Sequence, residues 1–257
     1  MTDGRCWIDA EARPGWQNMA IDTAMLAGAE AGGRTLIRLY RWSPFCLSFS
    51  RHEPATRRYN IDLIRDRGHD CVRRPTGGRA VWHARELTYA VAAPIATLGD
   101  LTAAFATIHQ WLAAALGRLG AEATPAPPRG PASLAAGPCF ASAVGGELVV
   151  QGCKVLGSAQ RRGEGALLQH GSLLLEDDQS EVRALLSGSG SDTPAAEAPL
   201  SRLMGRTVSF DEAAAAIRDE VTARHLAAVV DAAPRDVTAG AALHFDHYQS
   251  DSWTWHR

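Results

Sequence analysis

Arg73-Arg74-Pro75-Thr76-Gly77-Gly78-Arg79-Ala80-Val81-Trp82-His83 is the segment from which the chain is best read in both directions. Cys71-Val72-Arg73-Arg74 has the composition of a strand entering a glycine turn at Gly77-Gly78, and Ala80 to Ala92 reads as the extended segment returning from it. Two adjacent glycines let backbone amides approach a ligand closely, and the flanking arginines supply fixed charge and planar donors for carboxylate, phosphate or amide oxygens. The plainer alternative is a hairpin turn with a solvated basic rim. The glycine and lysine spacings fit neither a Walker-type phosphate loop nor a dinucleotide fingerprint.

On the N-terminal side, Trp16 to Ala31 carries Trp16, Met19, Ala20, Ile21, Ala24, Met25 and Leu26 at helical spacing, with Asn18 and Asp22 at other positions. Leu36 to Tyr40 and Cys46 to Ser50 read as short strands parted by Trp42-Ser43-Pro44, and Ile61 to Arg67 as a short helix stopped by Gly68. On the C-terminal side, Leu101 to Leu119 is the strongest helix, with Phe105, Ile108, Leu112, Ala115, Leu116 and Leu119 on one face. A Pro-rich loop from Pro125 to Pro138 delivers Cys139. Three strands follow, at Glu147–Gln151, Cys153–Ala159 and Ala166–Leu175, joined at Gly152 and by Arg161 to Gly165. Small residues and prolines dominate Ser187 to Arg206, after which Phe210 to Val230 resumes a helical pattern behind the Ser209/Glu212 capping box. The expected organisation is a main domain over residues 1–206 and a small helical extension over 207–257.

With 257 residues, 46% of them apolar, the chain can bury a full core. A net charge of −2 marks no polyanion binder, which argues against a nucleic-acid protein. The N-terminus has no apolar secretory region, and no stretch approaches the ~20 apolar residues that span a bilayer, so a cytoplasmic protein without membrane contact is expected. The five cysteines, at 6, 46, 71, 139 and 153, are odd in number and irregularly spaced, which disfavours a disulfide scaffold; no paired-ligand spacing supports a zinc site, so no metal is expected.

Two more segments carry chemistry. Cys139 stands at the end of a Pro-rich loop fourteen residues before Cys153-Lys154, a placement from which a thiol can reach a cleft and a lysine on a neighbouring strand can hold its thiolate. Each residue alone has a plain reading, a small buried hydrophobe and a surface charge. Leu168-Gln169-His170-Gly171-Ser172 places a polar notch inside an apolar run, where polar groups need partners or a role; a satisfied core histidine is the plain reading.

Taken together, Arg73 to Arg79 with Val81 and His83, then Glu86-Leu87-Thr88-Tyr89, Lys154 with Gly157-Ser158-Ala159-Gln160, and Leu168-Gln169-His170-Gly171 resemble the biotin/lipoate protein ligase superfamily. Pro138-Cys139-Phe140 followed by Glu147-Leu148-Val149-Val150, and the closing Ser250-Asp251-Ser252-Trp253 with Arg257, are similar to its Cys-dependent octanoyltransferases. The resemblance implies an α/β catalytic domain of mixed β-sheets packed with helices. It also implies octanoyl transfer from octanoyl-acyl carrier protein to a lysine of a lipoyl domain such as that of the glycine-cleavage system, with no cofactor. By position, Cys139 would be the thioester nucleophile and Lys154 the residue that lowers its pKa and contacts the acyl carbonyl. Arg74, Thr76, Gly77, Gly78, Arg79 and His83 would shape one wall of the substrate site, and Gly157, Ser158, His170 and Gly171 the other. The arginines at 57, 58, 73, 74, 79, 85, 161 and 162 are candidates for patches that steer these two partners. The sequence departs from the family pattern at Ala80, Ala84, Cys153 and Ala141–Gly146, the last replacing an aromatic-rich stretch.

Four other functions fit parts of this pattern. An ATP-dependent lipoate-protein ligase would use the same glycine turn without needing Cys139, and an amidotransferase moving octanoyl between lipoyl domains would use the same cysteine. A non-catalytic carrier-binding module would keep the fold alone. A Cys-His hydrolase would take His83 or His170 as base, for which the sequence offers no orienting group.

Overall fold

The computed structural model describes residues 3–127, 146–187 and 197–256. In chain order the strands are β1 (Arg5–Ile8), β2 (Leu36–Tyr40), β3 (Cys46–Phe49), β4 (Asp70–Arg73), β5 (Val81–His83), β6 (Glu86–Pro94), β7 (Ala123–Pro125), β8 (Leu148–Val150), β9 (Cys153–Arg162), β10 (Ala166–Leu174) and β11 (Ala228–Val229). The helices are α1 (Gly15–Gly32), α2 (Ala55–Arg58), α3 (Ile61–Asp66), α4 (Ile95–Leu98), α5 (Leu101–Arg118), α6 (Ser180–Ala184), α7 (Leu200–Met204), α8 (Phe210–Ala223), α9 (Arg235–Ala242), α10 (Phe245–Gln249) and α11 (Asp251–Thr254).

Helix boundaries follow from capping chemistry. The side chains of Asp100 and Ser209 accept from the N–H of Ala103 and Glu212 at the starts of α5 and α8, satisfying donors that the first turn leaves orphaned. Glu212 does not close the reciprocal half of a capping box; its carboxylate pairs with Arg206 instead. α1 stops at Gly33, whose φ of 61° is the left-handed conformation a side chain resists.

The strands form an eight-stranded mixed sheet in the order β11-β1-β2-β6-β10-β9-β8-β7 and a three-stranded sheet in the order β4-β3-β5. Period-2 alternation sorts the large sheet's side chains between two helical layers. Leu87, Tyr89 and Val91 of β6 join Ile37 and Leu39 of β2 beneath α5 and α8. Ala90, Ala92, Leu36 and Tyr40 face α1 and α9 on the other side. Fold class is therefore α/β with mixed sheets, as the sequence leads one to expect.

Four readings of local structure change. β4 and β5 do not form a hairpin across the glycine turn: both pair with β3, β4 in parallel and β5 antiparallel. The extended segment from Ala80 to Ala92 splits, β5 staying in the small sheet while β6 crosses to the large one. Pro125 closes β7 rather than opening a loop, because a proline at the end of a short edge strand leaves no ladder donor missing. The helix read through to Val230 ends at Ala223, and Ala228–Val229 adds β11 in parallel beside β1.

Candidate active site

The glycine turn is stapled from inside. Arg74, buried, sends Nη1 to Ser48 O and Oγ of β3, both at 3.1 Å, and Nη2 to Gly77 O at 2.9 Å and Arg79 O at 2.6 Å. Its guanidinium fork therefore fixes the turn's shape, a geometry a lysine would not reproduce. Gly78 takes φ 97°, where a side chain would be strained, whereas Gly77 faces open space. Arg79 is also buried.

At the end of β5, His83 lies beneath Trp42, with ring centroids 3.9 Å apart. Its Nδ1 is 2.9 Å from Glu86 Oε1 and its Nε2 2.8 Å from Ser48 Oγ. Burial pushes the His83 pKa down, against the opposing pull of Glu86. Thr88 Oγ1 also donates to Glu86 Oε1, and Trp42 Nε1 donates to Thr88 Oγ1 at 2.7 Å.

The notch in β10 faces both helical layers. His170 points toward α1, with Nδ1 2.8 Å from Asp22 Oδ2 and Nε2 2.7 Å from Thr76 Oγ1. Gly171 faces the other way, packed against Gly157 O, Ser158 Oγ and the Tyr89 ring. Ser158 Oγ is 2.7 Å from Tyr89 Oη and 3.1 Å from His109 Nε2, and His109 Nδ1–H donates to Phe105 O at 2.8 Å. Burial holds His109 down to a pKa of about 4 against the opposing hydrogen bond to Phe105, with a smaller push from the Lys154 charge, so this imidazole is neutral at pH 7.

Between these walls lies a narrow slot that opens to solvent, with a cavity volume of about 30 Å³ in this side-chain arrangement. Arg74, His83, Gly157, Ser158, His170 and Gly171 line it together with Met19, Tyr40, Trp42 and Val81. Its surface is mostly apolar, with polar groups at a few fixed points, the make-up of a small-molecule site. Thr76, Gly77, Gly78 and Arg79 stand behind or beside the lining rather than in it. Lys154 sits four residues before Ser158 on β9 and is fully buried, its Nζ 2.7 Å from Glu147 Oε2.

Cys139, the Pro-rich segment beyond Pro127 and the departure at Ala141 to Gly145 lie outside the described residues. Of the other cysteines, burial drives Cys6 up to about 12 and Cys46 and Cys71 well above the ordinary thiol range, which disfavours the thiolate in all three. The steering reading of the arginines needs correction as well. Arg73, Arg74 and Arg79 are buried and Arg85, though exposed, closes on Asp177 at 2.5 Å, which leaves Arg57 and Arg162 as the other exposed members of that set.

The structure brings to the site residues to which the sequence assigned no role there: Asp22 and Glu86, which orient the two histidines, Ser48 and Trp42 around His83, and Tyr89, His109 and Glu147. Asn18 and Asp22, read as lying off the apolar face of α1, are both fully buried. Asn18 Oδ1 accepts from Arg38 at 2.7 Å. The orienting carboxylates a hydrolase would require are thus present on both histidines.

The chain matches the Lipoyl protein ligase A/B catalytic domain family over residues 14–222. It is 37% identical to the octanoyltransferase LipM of Kyrpidia tusciae over 212 residues, covering 79% of this chain and 74% of that one. Against the octanoyltransferase LipM of an Exiguobacterium species it is 32% identical across 99% of both chains. Among solved structures, one from an archaeal lipoylation system, a bi-partite lipoate protein ligase and its E2 lipoyl domain from Thermoplasma acidophilum, superposes with a TM-score of 0.81 at 20% identity, covering 99% of this chain and 97% of that one.

Proposed function

The chain belongs to the lipoyl protein ligase A/B catalytic-domain family and is an octanoyltransferase of protein lipoylation; we propose that it takes its octanoyl group from an acyl-carrier thioester, holds it on Cys139 and passes it to a lysine of a lipoyl domain. The observation that carries this reading is the apolar slot between the glycine turn and β9–β10, with the buried Lys154 four residues before Ser158 of its wall on β9. Burying most of an octanoyl chain there at ~0.8 kcal/mol per methylene contributes about 5 kcal/mol. One methylene more or less then shifts selectivity by roughly 1–3 kcal/mol.

In the first step the Cys139 sulfur forms a bond to the donor's carbonyl carbon and the donor thiolate leaves. In the second, the acceptor amine attacks the same carbon, the bond to Cys139 breaks, and the amine's proton goes to the departing thiolate or to a neighbouring base. Thioester exchange followed by amide formation runs downhill and draws on no ATP. A free thiol of pKa ~8.5 is only about 3% thiolate at pH 7, so a cationic neighbour raises the reactive fraction, and Lys154 is the side chain assigned that part. Donors held against the carbonyl oxygen contribute more, since one such contact is worth roughly 3 kcal/mol.

A lipoate ligase shares this fold, so the fold leaves ligase chemistry open while the sequence relatives point to octanoyl transfer. The two are separated by incubating the purified chain and a lipoyl domain with octanoyl-acyl carrier protein alone, or with ATP and free lipoate. Modification in the first mixture and none in the second supports transfer. The reverse pattern makes the chain a ligase, and modification by neither makes it a binding module.

A further inference from the structure

We infer that Asp22, on α1, is a positioning residue that acts through His170 and Thr76 to hold the glycine turn over the acyl slot; this rests on the acyl-transfer reading of that slot. The two contacts lie at opposite nitrogens of one ring: His170 Nδ1 is 2.8 Å from Asp22 Oδ2 and Nε2 is 2.7 Å from Thr76 Oγ1. In the Nδ1–H tautomer that a carboxylate neighbour favours, Asp22 accepts from Nδ1–H and Thr76 Oγ1–H donates to the Nε2 lone pair. All three residues are at most 5% exposed, so water does not substitute for a lost member.

The carboxylate is itself pinned. Tyr40 Oη donates to Oδ2 at 2.9 Å and Arg38 Nη1 approaches Oδ1 at 3.3 Å. Arg38 in turn is held by Asp9 and Asn18, both at 2.7 Å. The chain of contacts therefore runs from the β1–β2 side of the large sheet to the turn. Arg74 ties that turn to the small sheet through Ser48, whereas Thr76 ties it to β10 of the large sheet, across the junction where the slot opens. His170 lines the slot and Thr76 does not, so the Thr76 hydroxyl acts on the position of the wall rather than on the acyl chain.

A double-mutant cycle on Asp22→Asn and Thr76→Val, read by octanoyl transfer from octanoyl-acyl carrier protein, tests the assignment. An asparagine that turns its amide N–H toward His170 reverses the donor at Nδ1, and valine removes the hydroxyl at nearly constant volume. Each single variant is expected to raise the apparent KM for the donor about ten-fold with kcat within about two-fold, the loss of roughly one buried hydrogen bond. Thr76→Ser should restore wild-type KM. Because both act on one link, the double variant should be no worse than the weaker single one. Asp22→Asn also deprives Arg38 of one partner, so the cycle is repeated with His170→Gln, which leaves Asp22 and Arg38 paired. Imidazole ¹⁵N resonances of His170 should report an Nδ1–H tautomer that is lost in Asp22→Asn. Multiplicative losses of about a hundred-fold, an unchanged KM, or an unaltered His170 tautomer overturns the inference; inactivity of the wild-type chain would instead count against the transferase reading.

Discussion

Gly171 is the position where the smallest addition should do the most damage. A Cβ there would stand 2.5 Å from Gly157 O, 2.6 Å from Ser158 Oγ and 2.7 Å from Tyr89 Cε1, against ordinary contact from 3.4 Å, so relief of the closest clash needs a shift of 3.4 − 2.5 = 0.9 Å. None of the three can give way cheaply. Gly157 O is backbone within the β9–β10 ladder, Ser158 Oγ is bonded to Tyr89 and His109, and the buried Tyr89 hydroxyl accepts from Gln169 at 2.7 Å. Overpacking costs about 1–3 kcal/mol, and a strained or lost buried hydrogen bond adds about 1, so Gly171→Ala should destabilise by about 3 kcal/mol. For a chain of this size that lowers Tm by roughly 6–12 °C. Gly77→Ala is the control, because its Cβ meets nothing within 4 Å and should leave Tm within about 2 °C. Thermal unfolding of both variants beside wild type is the assay. A Gly171→Ala protein that melts with wild type would show that the β9–β10 wall is not packed as described.

Other consequences are open to measurement. Glu147→Gln leaves the buried Lys154 ammonium without its carboxylate and should cost on the order of 3 kcal/mol in urea unfolding, with octanoyl transfer falling in parallel; a change below about 0.5 kcal/mol would show that the pair is not buried together. The unfolded chain protonates the His109 imidazole near pH 6.5 while the folded chain resists until about pH 4. The unfolded state therefore binds more protons across that window, and stability should fall as pH drops through it, by on the order of 3 kcal/mol. His109→Gln should flatten that part of the stability profile, and an unaltered slope would rule His109 out as its source. Iodoacetamide at pH 8 should spare Cys6, Cys46 and Cys71 in the native protein while Cys139 alkylates; peptide mapping that finds Cys46 labelled as fast as Cys139 would contradict the placement of Cys46 in the core.

What could be read from the residues alone depended on how local each determinant is. α1, β2, α5 and β8 to β10 carry periodicity, caps or turn glycines within a few residues, and they fold where those signals place them. β5 and β6 were not separable, because β6 is buried on both faces, its polar Glu86 and Thr88 included, so no apolar-in, polar-out alternation marks its change of sheet. β7 and β11, of three and two residues, are too short to show a pattern. At the site, the glycine turn, the Gly157-Ser158 pair and the His170-Gly171 notch were legible as motifs, and the structure brings them together around one slot. Their partners were not. Asp22 meets His170 across 148 positions of chain, and an acid on an amphipathic helix looks the same in sequence whether it faces water or a buried imidazole. The basic rim misled for the converse reason: Arg73 and Arg74 spend their guanidinium groups on backbone carbonyls, which composition does not reveal.

The most direct test of the central claim is intact-protein mass spectrometry of the chain mixed with octanoyl-acyl carrier protein, beside Cys139→Ser, each with and without hydroxylamine. A single octanoyl adduct should form on the wild-type chain, disappear with hydroxylamine and be absent from Cys139→Ser. An adduct that survives hydroxylamine, or that forms equally on Cys139→Ser, would contradict transfer through a Cys139 thioester.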